Sequence, residues 1–152
     1  MFRILLVFII IMQISGCEKK EKLDFNDLAS KAEAFYLYDV NPKRNPDVID
    51  FDTKRLAVFT KAEFNLKVFK SASSDFRLIK SSFNKALSMG GNLGVLKLSG
   101  NSELRFYVGY NGFITTLDTK DYYSLEDSVL IKSWKNEHKR IVEDIFIPKR
   151  EN

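Results

Sequence analysis

Hydrophobic positions change period several times along this chain, and each change marks a new element. Phe25, Leu28, Ala32 and Phe35 fall on one helical stripe behind Asp24, a suitable N-cap, so a helix is expected from there to about Tyr38. Pro42 and Pro46 make "DVNPKRNP" a loop, because each lacks a backbone N–H and restricts the residue before it. Between Val48 and Lys70, β-branched and aromatic residues alternate with polar ones, with Phe64, Leu66 and Val68 on one face, which predicts two or three short strands. In "SSDFRLIKSSFNKALSMGG" the period lengthens: Phe76, Ile79, Phe83, Ala86 and Leu87 return at three- and four-residue steps. This predicts a second helix, started by Ser73 or Ser74 and ended by Gly90.

After Gly91 the period falls to two, and three strands are expected over Leu93–Ser99, Glu103–Tyr110 and Phe113–Asp118. Asn111-Gly112 is a two-residue hairpin signal, since both residues tolerate the positive φ of a type I′ turn. That turn sets Tyr110 opposite Phe113, Val108 opposite Thr115 and Phe106 opposite Leu117. A three-residue loop Gly100-Asn101-Ser102 sets Leu98 opposite Leu104 and Leu96 opposite Phe106. Farther on, Ser128–Trp134 reads as a strand, and Arg140–Ile147 as a helix capped by Asn136, although alternation also fits the latter. The order of helices and strands predicts an α+β domain: an antiparallel meander with two or three helices packed on it.

The amino terminus carries a different pattern. Arg3 precedes an unbroken apolar run, Ile4–Met12, which at about 1.5 Å per residue is too short to cross a hydrocarbon core of about 30 Å and suits an export signal. Ile14-Ser15-Gly16-Cys17 then resembles the lipobox of bacterial lipoproteins, in which an aliphatic and two small residues precede a cysteine. The resemblance covers the leader alone. It implies cleavage before Cys17, a diacylglycerol thioether on its sulfur and acylation of the new amino group, so the covalent lipid is the only cofactor expected. Two or three chains make a lasting anchor, because each buried CH₂ adds about 0.8 kcal/mol and one chain holds only marginally. The domains expected are therefore a signal peptide over 1–16, the lipidated cysteine with a tether over 17–23, and one α+β domain over 24–152. Glu18 rather than aspartate after the cysteine implies, by the same resemblance, the outer membrane facing the periplasm.

Removing residues 1–16 of the 152 leaves 136, enough for one domain with its own core. The leader holds one of the 24 basic residues and none of the 20 acidic ones, so the mature charge falls from +4 to +3. So small an excess gives no argument for nucleic acid. Thirteen Phe and six Tyr suit a packed interior, and the single cysteine, committed to lipid, leaves no disulfide and no thiol nucleophile.

The polar residues supply no recognisable catalytic set. His138, the sole histidine, lies in the charged stretch "KNEHKR" and reads as exposed, with no Gly-x-Ser-x-Gly elbow to accompany it. Asp47, Asp50 and Asp52 lack the spacing, glycine and closing glutamate of an EF-hand loop, so no metal site is expected. "GGNLGVLKLSG" lacks a P-loop ending, and Arg77, Lys80 and Lys85 read as a solvated helix face. The expected function is a membrane-anchored envelope protein that binds another protein in an assembly or accessory role. An inhibitor or immunity lipoprotein is the alternative, and a carboxylate-based hydrolase is disfavoured.

The meander register suggests where a partner would bind. Leu96, Leu98, Leu104, Phe106, Val108 and Leu117 would face the helices. Val95, Tyr107, Ile114 and Thr116, edged by Lys97 and Arg105, would form a patch on the opposite face, with Tyr107 as its anchor.

Overall fold

A computed structural model describes residues 22–42, 44–79, 90–117 and 121–147. The elements are α1 (Phe25–Lys31), β1 (Ala32–Tyr38), a 3-10 turn (Pro46–Asp50), α2 (Thr53–Leu56), β2 (Lys61–Glu63), α3 (Leu66–Ala72), a 3-10 turn (Ser73–Asp75) and β3 (Arg77–Leu78). They continue with β4 (Gly91–Leu98), β5 (Ser102–Gly109), β6 (Phe113–Thr116), β7 (Tyr122–Ser124), α4 (Ser128–Ile141) and a π-helical stretch (Val142–Phe146). All strand pairs are antiparallel, in one seven-stranded sheet of order β2-β1-β4-β5-β6-β7-β3. The α+β meander read from the sequence is thus the fold.

Both faces of the sheet are covered. On one, Phe35, Leu37, Leu96, Leu98, Phe106, Val108 and Ile114 pack with Phe25 and Leu28 of α1, Phe69 of α3 and Trp134 and Ile141 of α4. Each such side chain contributes about 1.5–3 kcal/mol relative to its exposed state. On the other, Tyr38, Leu93 and Val95 meet Val48, Leu56, Phe51 and Phe59 from the excursion between β1 and β2. A smaller group, Tyr107 and Phe113 with Leu117 and Tyr122, continues that second face.

Double coverage explains where the sequence reading departs from the structure. Asp24 caps α1 as expected, accepting from the backbone N–H groups of Asn26 and Asp27, but the helix ends at Lys31 and Ala32–Tyr38 is a strand. Phe35 and Leu37 point to one core and Tyr38 to the other, so no polar alternation betrays the strand. Between Val48 and Lys70 only Lys61–Glu63 is a strand; the rest is 3-10 turn, α2, loop and α3. The helix expected after Ser73 begins instead as a 3-10 turn and the short β3, and its remainder lies outside the described residues. Ser128–Trp134 is the first half of α4, capped by Asp127, whose carboxylate accepts from Val129 and Leu130. Asn136 lies inside that helix rather than capping one.

The meander strands stand where expected, with corrected registers. Leu98 pairs with Ser102, Leu96 with Leu104 and Gly94 with Phe106, so the first loop is Ser99-Gly100-Asn101 and the faces keep their parity. Gly100 and Asn101 take the positive φ that this loop requires, at 83° and 61°. In the second hairpin Gly109 pairs with Phe113 and Val108 with Ile114. The loop is therefore Tyr110-Asn111-Gly112, with positive φ at Gly112 alone, as in a type I turn closed by a left-handed glycine. One residue of slip moves Ile114 and Thr116 to the helix face and Leu117 to the other.

Candidate functional site

The six residues of the expected patch do not form a surface. Val95, Tyr107 and Ile114 are at most 1% exposed and Thr116 is buried too. Val95, Lys97, Arg105 and Tyr107 share the second face, whereas Ile114 and Thr116 lie on the helix face. Lys97 is opposite Glu103, not Arg105, and both cations pair with that carboxylate, Arg105 at 2.7 Å. Burial pushes the Glu103 carboxyl up, but hydrogen bonds from Lys97 and Arg105 outweigh it and hold the group below its ordinary value. The cations that were to rim a patch are thus engaged within the fold.

Tyr107 is a core residue, stacked on Phe113 with ring centroids 5.9 Å apart. Burial raises its hydroxyl to about 12, and that hydroxyl has no hydrogen-bond partner among the described residues. A buried hydroxyl without a partner costs about 1–3 kcal/mol. Tyr107→Phe is therefore expected to raise stability by about 1 kcal/mol in urea unfolding. A lower midpoint for the phenylalanine variant would mean that the hydroxyl is paired.

Ile14, Ser15, Gly16 and Cys17, with the tether to residue 21, lie outside the described residues, as do Lys80 and Lys85. Leu23, where the described chain begins to pack, donates its N–H to the Tyr123 hydroxyl at 3.2 Å. Asp52 accepts from the Arg55 N–H at 2.8 Å, a local helix-start role. Among the described residues no cluster of three His, Cys, Asp or Glu is placed to hold a metal. None of their helices is long and apolar enough to cross a membrane.

The buried polar residue that the sequence reading placed in solvent is His138, which is fully buried. Helix α4 carries Ile131, Trp134, His138 and Ile141 along its inner stripe, so the ring is directed at the sheet end rather than at the charged neighbours. Its Nε2 lies 2.9 Å from Asn92 Oδ1, and Asn92 Nδ2 donates to the Tyr38 carbonyl at 2.9 Å. Because that second bond orients the amide, Oδ1 is the acceptor and Nε2 carries the proton of a neutral imidazole. Burial pushes the His138 pKa down to about 4, against a smaller upward pull from the Gly109 carbonyl. Nδ1 is buried without a hydrogen-bond partner among the described residues. Through the bond to Asn92, His138 joins α4 to β4.

Tyr110, at the tip of the β5–β6 hairpin, meets the His138 ring edge-on, with centroids 4.4 Å apart, and remains 37% exposed. It forms one wall of a recess of about 340 Å³ against α4, where Asn111, Lys135, Lys139, Val142 and Glu143 complete the lining. A second depression, of about 410 Å³, lies where β2 and α3 meet α4. There Glu137 accepts from the Asn65 N–H at 2.9 Å and from Arg140 at 2.7 Å. The Arg140 bond, aided by the Asn65 N–H, holds the Glu137 carboxyl below its ordinary value against burial. No family model, no curated protein and no solved structure matches this chain.

Proposed function

We propose that this chain is a lipid-anchored envelope protein whose folded domain binds other proteins in an accessory or assembly role, on the periplasmic side of the outer membrane. The observation that carries this reading is Ile14-Ser15-Gly16-Cys17 directly after an apolar run and before charge. Helix α1 starts at Phe25, eight residues beyond Cys17. Eight extended residues span at most about 29 Å, so the domain works in a thin shell next to the bilayer and its partner must reach that shell. The domain needs no bound group for this role. Its part is to present a rigid surface within that distance of the bilayer.

The anchor is tested by Cys17→Ser expressed beside the wild type in cells fed an alkynyl fatty acid. The wild type is expected to take up the label and sediment with membranes, and the serine variant to lose the label and alter its processing. Unchanged labelling and sedimentation of the variant would refute the assignment.

A further inference from the structure

The recess between the β5–β6 hairpin and α4 combines three features that suit a binding partner. Its wall is a large aromatic ring that is both accessible and fixed in place: Tyr110 abuts His138 on one side and Gly90 on another, where an added Cβ would come within 2.8 Å of the ring. A ring already immobilised loses little entropy when a partner packs on it. Its rim is basic. Lys135 and Lys139 stand one helical turn apart on α4, and Lys132 extends the row. Finally, that charge is available: the nearby acid Asp39 acts on the Tyr110 hydroxyl rather than pairing with either lysine, and Glu143, on the rim, meets Lys139 at 3.7 Å with both side chains more than half exposed. Such a pair is weak and exchanges readily for a better acceptor. The depression beside Glu137 offers the contrast, because its carboxylate and guanidinium already satisfy one another.

We propose that this recess docks an acidic peptide segment of a partner protein, which seats one apolar side chain against Tyr110 and Val142 and its carboxylates on Lys135 and Lys139. The inference rests on the protein-binding reading above and names the surface and the chemistry of the partner. A concave recess of about 340 Å³ accepts a side chain, whereas a layer of anionic headgroups would meet only the lysines on its rim. An aromatic anchor inside a charged rim is also the arrangement in which few residues carry most of the binding energy.

The test uses the full-length protein in zwitterionic detergent and fluorescence anisotropy with labelled short peptides. One pool holds Leu, Phe or Tyr flanked by Asp and Glu, and a second has Lys and Arg in place of the acids. The acidic pool is expected to bind, more tightly at low salt, and the basic pool to fail. Tyr110→Ala and the double change K135E/K139E should each weaken binding at least about tenfold, while Tyr110→Phe retains it. Circular dichroism checks that each variant is folded. Absence of acidic-pool binding, or equal binding by the double variant, overturns the proposal. So does lysine-dependent binding to phosphatidylglycerol vesicles without peptide binding, which would make the row a lipid contact. In native membranes, a photo-crosslinker at Asn111 is compared with one at Val58, which is 79% exposed. Adducts at Asn111 that vanish with K135E/K139E support the site. Adducts at Val58 alone overturn the site and leave protein binding standing, and adducts at neither position overturn both.

Discussion

Acidification from pH 7 to pH 4 is expected to remove about 3 kcal/mol of stability through His138 alone. The group titrates near 6.5 when unfolded and near 4 when folded, because burial disfavours the imidazolium. The unfolded chain thus binds the proton more readily. The contribution is complete above pH 6.5 and is lost progressively as the pH falls toward 4. Glu103 and Glu137, held low by their basic partners, lose their contributions only as the pH drops below the ordinary glutamate value of 4.5. The window from 6.5 to 4.5 therefore belongs to the chain's single histidine among these shifted groups. Urea unfolding across that window measures it, with His138→Leu as the control. The leucine variant starts lower, since Asn92 Oδ1 loses its donor, but its stability should stay flat between those values. A flat wild-type curve would mean that the ring is hydrated or already paired as the cation.

The largest loss from a single substitution is expected at Trp134. Its ring lies 4.7 Å from Phe64, 5.5 Å from Phe76 and 6.5 Å from Phe35, and its Nε1 donates to the Gly109 carbonyl at 3.2 Å. Trp134→Ala removes the contact between α4 and three aromatic neighbours, leaves a cavity and strips a buried carbonyl of its donor. Together these cost about 3–5 kcal/mol. Because Trp134 is the only tryptophan, the loss is read by far-ultraviolet circular dichroism rather than by intrinsic tryptophan emission. Trp134→Phe should recover part of it. A shift under about 1 kcal/mol for the alanine variant would mean that α4 is not seated on this core.

The sequence pattern was informative where one face of an element is polar and misleading where both are buried. The meander stood out because Gly100-Asn101 and Gly112 fix its turns, and Lys97, Glu103 and Arg105 break up its apolar run. Its second register slipped because Phe113 and Ile114 are both apolar and both buried, so nothing in their character says which faces the helices. The same ambiguity hid β1, whose Phe35 happens to continue the helical spacing of Phe25, Leu28 and Ala32. Val129, Leu130 and Ile131 imitate a strand, although the step from Ile131 to Trp134, His138 and Ile141 is helical. Extending the window beyond Trp134 would have exposed that stripe.

At the candidate site the sequence reading erred on the burial of two residues, Tyr107 and His138. Tyr107 was placed on a free face, yet its ring stacks on Phe113 and packs beside Leu117 and Tyr122 on that same face. His138 was placed in solvent because its sequence neighbours are charged, yet on a helix they project in other directions. Tyr110, Lys135 and Lys139 meet only once α4 lies across the sheet end, a juxtaposition that no local pattern announces.

The strand order decides which backbone the sheet leaves open to further pairing. Both margins of the sheet come from the excursion between β1 and β4, which contributes β2 at one side and β3 at the other. These margins are only three and two residues long, so little unpaired backbone is offered to a neighbouring molecule. Detaching β2 would uncover the seven residues of β1, "AEAFYLY", as a new margin rich in aromatic side chains. The Phe64 N–H bond to the Phe35 carbonyl at 2.7 Å, just past the end of β2, extends the pairing that keeps this margin shut. Loss of that pairing is therefore expected to present a seven-residue edge without glycine or proline, the kind of segment that adds strands from other molecules.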